Sequence, residues 1–85
     1  MLWQIVVDHT VEKQMKRFPA HDAGRLFDVL QSFALDPFAG DLEKMKGESN
    51  VWRRRVGSYR VFYEVHVARK TVYVFDVKRR TSNTY

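Results

Sequence analysis

Eighty-five residues, 45% apolar and 14% aromatic, suit one domain with a small core and exclude a disordered chain. The absence of cysteine excludes thiol catalysis, thiolate metal sites and a disulfide framework. The net charge of +5 excludes a preference for cationic partners and points to a polyanion.

Residues 2–7 carry Trp3, Ile5, Val6 and Val7, β-branched and aromatic side chains that predict a first strand. A six-residue stretch, apolar but for Gln4, is too short for a secretion signal or a membrane span, so a cytoplasmic protein with no membrane partner is expected. Asp8, His9 and Thr10 then supply turn and cap residues. Val11, Met15 and Phe18 recur at spacings of four and three, which places them on one face of a helix that Pro19 ends. A second helix is predicted over residues 20–35, with an apolar stripe of Leu26, Phe27, Leu30, Phe33 and Ala34. Asp22 near its start offsets the positive end of the helix dipole, and Asp36 and Pro37 stop it. Residues 38–50, with Gly40, Gly47, Ser49 and Asn50, predict a loop pinned by Leu42 and Met45.

Three strands follow, over residues 51–56, 59–66 and 71–78. Gly57 and Ser58 form a two-residue hairpin connection, and residues 68–70 form a second turn, giving an antiparallel meander. Residues 79–85 have no periodicity. The expected fold class is α+β: a strand, a two-helix hairpin, then the meander, with the helices on one face of a four-stranded sheet. A single domain over residues 1–85 is expected.

Charge is not spread evenly along this chain. Residues 51–85 hold Arg53, Arg54, Arg55, Arg60, Arg69, Lys70, Lys78, Arg79 and Arg80 against Glu64 and Asp76, a net of +7, whereas residues 1–50 carry −2. A sheet that concentrates cations repels itself, and nucleic acid is the first partner that would offset this. Because residues two apart share a face, Arg53 and Arg55 lie together and Arg54 lies with Trp52 and Val56. In the third meander strand the same rule sets Tyr73, Phe75, Val77 and Arg79 against Val72, Val74, Asp76 and Lys78. Arg54 falls on the face expected to be buried, where it must reach an edge or pair with Asp76 or Glu64. His9, His21 and His66 fall in different elements without ligand spacing, so no metal site is expected.

Two stretches, Glu43-Lys44-Met45-Lys46-Gly47 and Trp52-Arg53-Arg54-Arg55-Val56-Gly57-Ser58-Tyr59-Arg60, together with Val77-Lys78-Arg79-Arg80 and a late Tyr85, resemble the RelE/ParE superfamily of toxins from type II toxin-antitoxin systems. For the RelE branch, the resemblance implies a ribosome-dependent endoribonuclease that cuts messenger RNA in the A site and is held inactive by a cognate antitoxin. It implies catalytic roles for Arg53, Arg55, Arg60, Arg79 and Tyr85. The RelE type example has lysines where Arg53 and Arg55 stand, and an apolar residue is usual at Arg54.

The chemistry implied is attack by the RNA 2′-OH, which needs a proton acceptor, cations around the developing phosphorane and a proton for the leaving 5′-oxygen. Guanidinium forks suit the phosphate. Tyr85 is the candidate base, and no cofactor or metal is called for. Lys44, Lys46, Arg54, Lys78 and Arg80 are expected as RNA-binding residues, with the ribosome and mRNA as partners. Two other readings remain open: a ParE-like DNA gyrase inhibitor, and a non-catalytic nucleic-acid-binding module.

Overall fold

The computed structural model describes residues 2–79. In chain order the elements are β1 (Gln4–Val7), α1 (His9–Met15), α2 (Ala20–Ser32), β2 (Leu42–Lys44), β3 (Val51–Val56), β4 (Tyr59–His66), a 3₁₀ turn (Val67–Arg69) and β5 (Thr71–Arg79). One five-stranded sheet runs β1-β5-β4-β3-β2. β1 lies parallel to β5, with Gln4 opposite Thr71 and Val7 opposite Val74, and the other pairs are antiparallel. Among the described residues no helix is long and apolar enough to cross a membrane.

Local chemistry sets the helix ends. The Asp8 carboxylate accepts the Thr10 backbone N–H at 3.1 Å and also the Thr10 hydroxyl, which caps α1. Both helices stop before the sequence pattern does, because their last turns tighten. Phe18 N–H bonds the Met15 carbonyl at 3.2 Å, and Leu35 N–H bonds the Ser32 carbonyl at 3.0 Å, each three residues back.

The core lies between the helices and one sheet face. Val11, Leu26, Leu30 and Phe33 pack against Val61, Tyr63, Val65, Val72, Val74 and Val77, all buried. Phe27 departs from the expected stripe: it is 53% exposed. The helices leave the opposite sheet face open.

Two departures from the expected fold matter for the site. Residues 42–44 form a fifth strand at the sheet edge, with Leu42 opposite Arg54 and Glu43 opposite Arg53. Its three residues were too few to read as a strand among so many charges. The loop before it is held from below: the Tyr63 hydroxyl donates to the Pro37 carbonyl at 2.7 Å, and Arg54 Nη1 donates to the Ala39 carbonyl at 3.0 Å. Phe38 packs edge-on against Trp52 at 5.4 Å. Burial pushes the Tyr63 phenol up to about 12, so it remains a hydrogen-bond donor at neutral pH.

The second departure is a bulge in β5. Phe62 faces Asp76 while its neighbour Tyr63 faces Val74, so one residue of β5 is supernumerary. Strict alternation breaks there, and Val77 joins Val72 and Val74 in the core. The physical reason is the side chains themselves. Burying Val77 gains about 1.5–3 kcal/mol, whereas the alternating register would bury Asp76 and Lys78 at a desolvation cost.

Candidate nucleic-acid interface

On the open face the strand registers place Arg55 of β3 directly opposite Arg60 of β4, and Arg60 directly opposite Lys78 of β5. Three cations thus form one row across three adjacent strands. In the next row Arg53 faces Phe62, and Phe62 faces Asp76. Side chains opposite one another on such a face stand about 4.5–5.5 Å apart at Cβ, close enough for like charges to repel.

Arg53, Arg55 and Arg60 line one small concavity of about 110 Å³ together with Asp41, Leu42 and Glu43. The acids come from β2 and the residues just before it. Arg53 Nη2 is bonded to Glu43, and Arg55 Nε lies 3.4 Å from the Asp41 carboxylate. These are exposed pairs in the sense that half or more of Glu43, Arg55 and Asp41 remains in contact with water. They screen one end of the row, and at the other end Asp76 lies 3.9 Å from Lys78, with Arg60 between the two pairs. The segment read as a loop thereby supplies the internal counter-ions. A signal existed in the sequence: Asp41 and Glu43 alternate as Arg53 and Arg55 do.

The bulge sorts the β5 cations. Lys78 is on the open face, its Nζ 5.5 Å from the centre of the Phe62 ring. Arg79 is on the helix side, where its guanidinium lies 5.6 Å from the Tyr59 ring centre. Tyr59 is buried, and its hydroxyl donates to Asp22 of α2 at 2.8 Å. Arg79 therefore does not join Arg53, Arg55 and Arg60, contrary to the grouping expected from the sequence. The spacing Val72, Val74, Val77 was the legible sign of the bulge.

Arg54 is likewise on the helix side, under residues 37–40. Its guanidinium meets the Ala39 carbonyl and lies against Gly40, whose backbone φ of +96° and lack of a side chain make room for it. Neither Asp76 nor Glu64 reaches it, which corrects the expected pairing. Glu64 bonds His66 at 2.8 Å, and Asp76 lies 3.9 Å from Lys78 and accepts from Gln14 at 3.4 Å. Arg54 organises the loop that carries β2 and is not on the arginine face expected to bind RNA. Lys44, opposite Trp52, is on the same helix side of the edge strand, and Lys46 is exposed in the turn after it. Arg80 and Tyr85 lie outside the described residues.

The sequence offers Trp52, Tyr59, Phe62 and Tyr63 as aromatics able to stack on bases; of these Phe62 is beside the cations, in a row with Phe75 and Tyr73 that alternation alone did not bring to it. Phe62 and Phe75 lie with ring centres 6.4 Å apart, and Phe75 and Tyr73 with centres 6.3 Å apart, all partly exposed. The Tyr73 hydroxyl donates to Asp8 at 2.7 Å, which ties β5 to the start of α1. The Thr10 and Tyr73 hydrogen bonds hold the Asp8 carboxyl below its ordinary value, and the same Asp8 bond pushes the Tyr73 phenol up.

Comparison with known proteins agrees with this architecture. The family model described as "ParE toxin of type II toxin-antitoxin system, parDE" matches residues 4–84. No curated protein matches the sequence. The archaeal RelE-RelB complex from Pyrococcus horikoshii OT3 contains a chain that superposes with a TM-score of 0.86 at 23% identity, covering 96% of this chain and 99% of that one. The RelB-RelE antitoxin-toxin complex from Methanococcus jannaschii gives 0.75 at 26% identity, covering 94% and 98%. The YoeB/ParE toxin from Agrobacterium tumefaciens gives 0.74 at 21% identity, covering 92% and 99%.

Proposed function

The chain belongs to the ParE toxin family of type II toxin-antitoxin systems, within the RelE/ParE superfamily, and from that premise we propose that it arrests growth in the cytoplasm as an endoribonuclease cutting mRNA on the ribosome. The observation that carries this reading is the row Arg55, Arg60, Lys78 on the helix-free face, with Arg53 beside it. Like charges opposed across a sheet destabilise the fold, and a phosphate between them converts repulsion into attraction.

In this reading the guanidiniums of Arg53, Arg55 and Arg60 grip the scissile phosphate. The 2′-oxygen attacks the adjacent phosphorus, the P–O5′ bond breaks, and a 2′,3′-cyclic phosphate and a 5′-hydroxyl result. The 2′-OH proton passes to a base, for which Tyr85 is the candidate, and the 5′-oxygen takes up a proton. The cations act by stabilising the charge that develops on the phosphorane oxygens. Arginine, with a pKa above about 12, is a reluctant proton donor. Replacing Arg55 by lysine is accordingly expected to speed a single turnover.

The natural inhibitor in this reading is a cognate antitoxin, as several structural relatives are seen in complexes with RelB. A groove of about 830 Å³ between the helices, lined by Ile5, Val7, Met15, Phe27 and Leu30, suits an apolar antitoxin segment. Exposed Phe27 supports that assignment.

The test is induction of the chain alone in translating cells, with transcript 5′ ends mapped. Cuts within translated codons that vanish for Arg60→Ala are expected. The match to the ParE family model favours one second reading, inhibition of DNA gyrase. Intact transcripts with loss of DNA supercoiling would establish it in place of the first.

A further inference from the structure

We propose that Phe62 and Phe75 form a stacking platform for a base of single-stranded RNA, next to the phosphate-gripping arginines. The proposal rests on the nucleic-acid reading above and adds a subsite to it. Both rings lie on the helix-free face, partly exposed, with centres 6.4 Å apart. Phe62 follows Arg60 by two residues on β4, so the two side chains share a face and sit about 6.6–7 Å apart along the strand. Arg53 stands opposite Phe62 on β3 and Asp76 opposite it on β5, while Lys78 Nζ lies over the ring at 5.5 Å and 3.9 Å from the Asp76 carboxylate.

Aromatic rings set in a cationic surface are how proteins bind single strands without reading sequence. Bases stack on the rings while cations follow the phosphates. The position of Lys78 has a direct consequence here. Its ammonium covers the Phe62 ring in the free protein and is drawn toward the backbone phosphate when RNA arrives, which uncovers the ring for a base. The bulge in β5 brings these groups together, because it turns Lys78 to the open face and leaves Phe75 there. Charge complementarity favours RNA over a peptide at this patch: the cations Arg53, Arg55, Arg60 and Lys78 surround or adjoin it and outnumber Asp41, Glu43 and Asp76, the acids paired with them.

The test uses the full chain, released from its antitoxin, and a short oligoribonucleotide blocked by 2′-O-methyl groups, with 2-aminopurine at successive positions. Wild type is expected to quench 2-aminopurine at one position. Phe62→Leu and Phe75→Leu, which keep the apolar cover, are expected to abolish that quenching and weaken binding about tenfold, with the salt dependence unchanged. Circular dichroism and thermal melting establish that both variants fold. Arg60→Ala is expected instead to flatten the salt dependence by about one counter-ion.

Unchanged RNA affinity and quenching in folded Phe62→Leu and Phe75→Leu would overturn the platform. So would a loss of antitoxin affinity in these variants with RNA binding intact. Failure of the nuclease reading is seen separately, as stacking and binding without cuts in translated mRNA.

Discussion

Arg55 and Arg60 face each other across β3 and β4 on the open side of the sheet, with Lys78 next in line. Hairpin neighbours of like charge are a poor choice for stability, and the proposed phosphate site accounts for their presence. Replacing Arg60 by glutamine is expected to raise stability by about 0.2–1 kcal/mol. The same change is expected to lower mRNA cleavage by at least ~100-fold, as loss of one transition-state donor commonly does. Chemical denaturation and single-turnover cleavage measure the two effects. A protein that loses both stability and activity would mean that Arg60 is structural.

In the proposed function, Glu43 of β2 and Asp41 just before it temper the attraction of the arginines for phosphate. Glu43→Gln and Asp41→Asn free Arg53 and Arg55 from their pairs, and RNA affinity is expected to rise a few-fold in each, more at low salt than at high. Stability is expected to change by no more than about 1 kcal/mol, since the carboxylate of each pair is largely exposed. Binding isotherms at two salt concentrations, alongside denaturation curves, check both statements.

Gly40 is the position where a single methyl group would disturb the site from outside it. A Cβ there would fall 2.4 Å from the Arg54 guanidinium carbon, and the backbone φ is +96°. Gly40→Ala is expected to destabilise the fold by more than about 1 kcal/mol and to loosen β2. Amide exchange at residues 42–44 reports the loosening. A variant as stable as wild type, with those amides still protected, would show that Arg54 adapts.

Asp8 makes stability depend on acid. Its folded pKa lies below the ordinary value through the bonds from Thr10 and Tyr73, so its contribution is fully present above about pH 4 and disappears as pH falls through the folded value. Wild type is therefore expected to lose stability below pH 4 more steeply than Asp8→Asn. The two denaturation profiles should be well separated at pH 7 and converge toward pH 2. Parallel profiles would show that the carboxylate is not linked to folding.

Much of the fold was legible because its signals are local. The strands at residues 51–56 and 59–66 carry β-branched and aromatic residues on either side of Gly57, and the structure returns the same bounds. The helices were placed by periodicity and by Asp8 and Pro19, and their ends missed by three residues where the final turns tighten. β2 was not legible, since three residues bonded to a neighbour carry too little pattern of their own. Phe27 looked like core because it lies beside Leu26, yet it opens onto the groove between the helices.

The sequence by itself determined that cations gather on the meander, that Arg53 and Arg55 share a face, and that the chain resembles the RelE/ParE toxins, because composition, alternation and motif are properties of neighbours along the chain. Tertiary structure alone decided which cations meet. A bulge that spares Asp76 from burial turns Lys78 toward Arg60 and sends Arg79 to Tyr59. An edge strand brings Asp41 and Glu43 to the arginines. Both follow from registers between distant segments, fixed by which side chains the core accepts, and no local pattern specifies that.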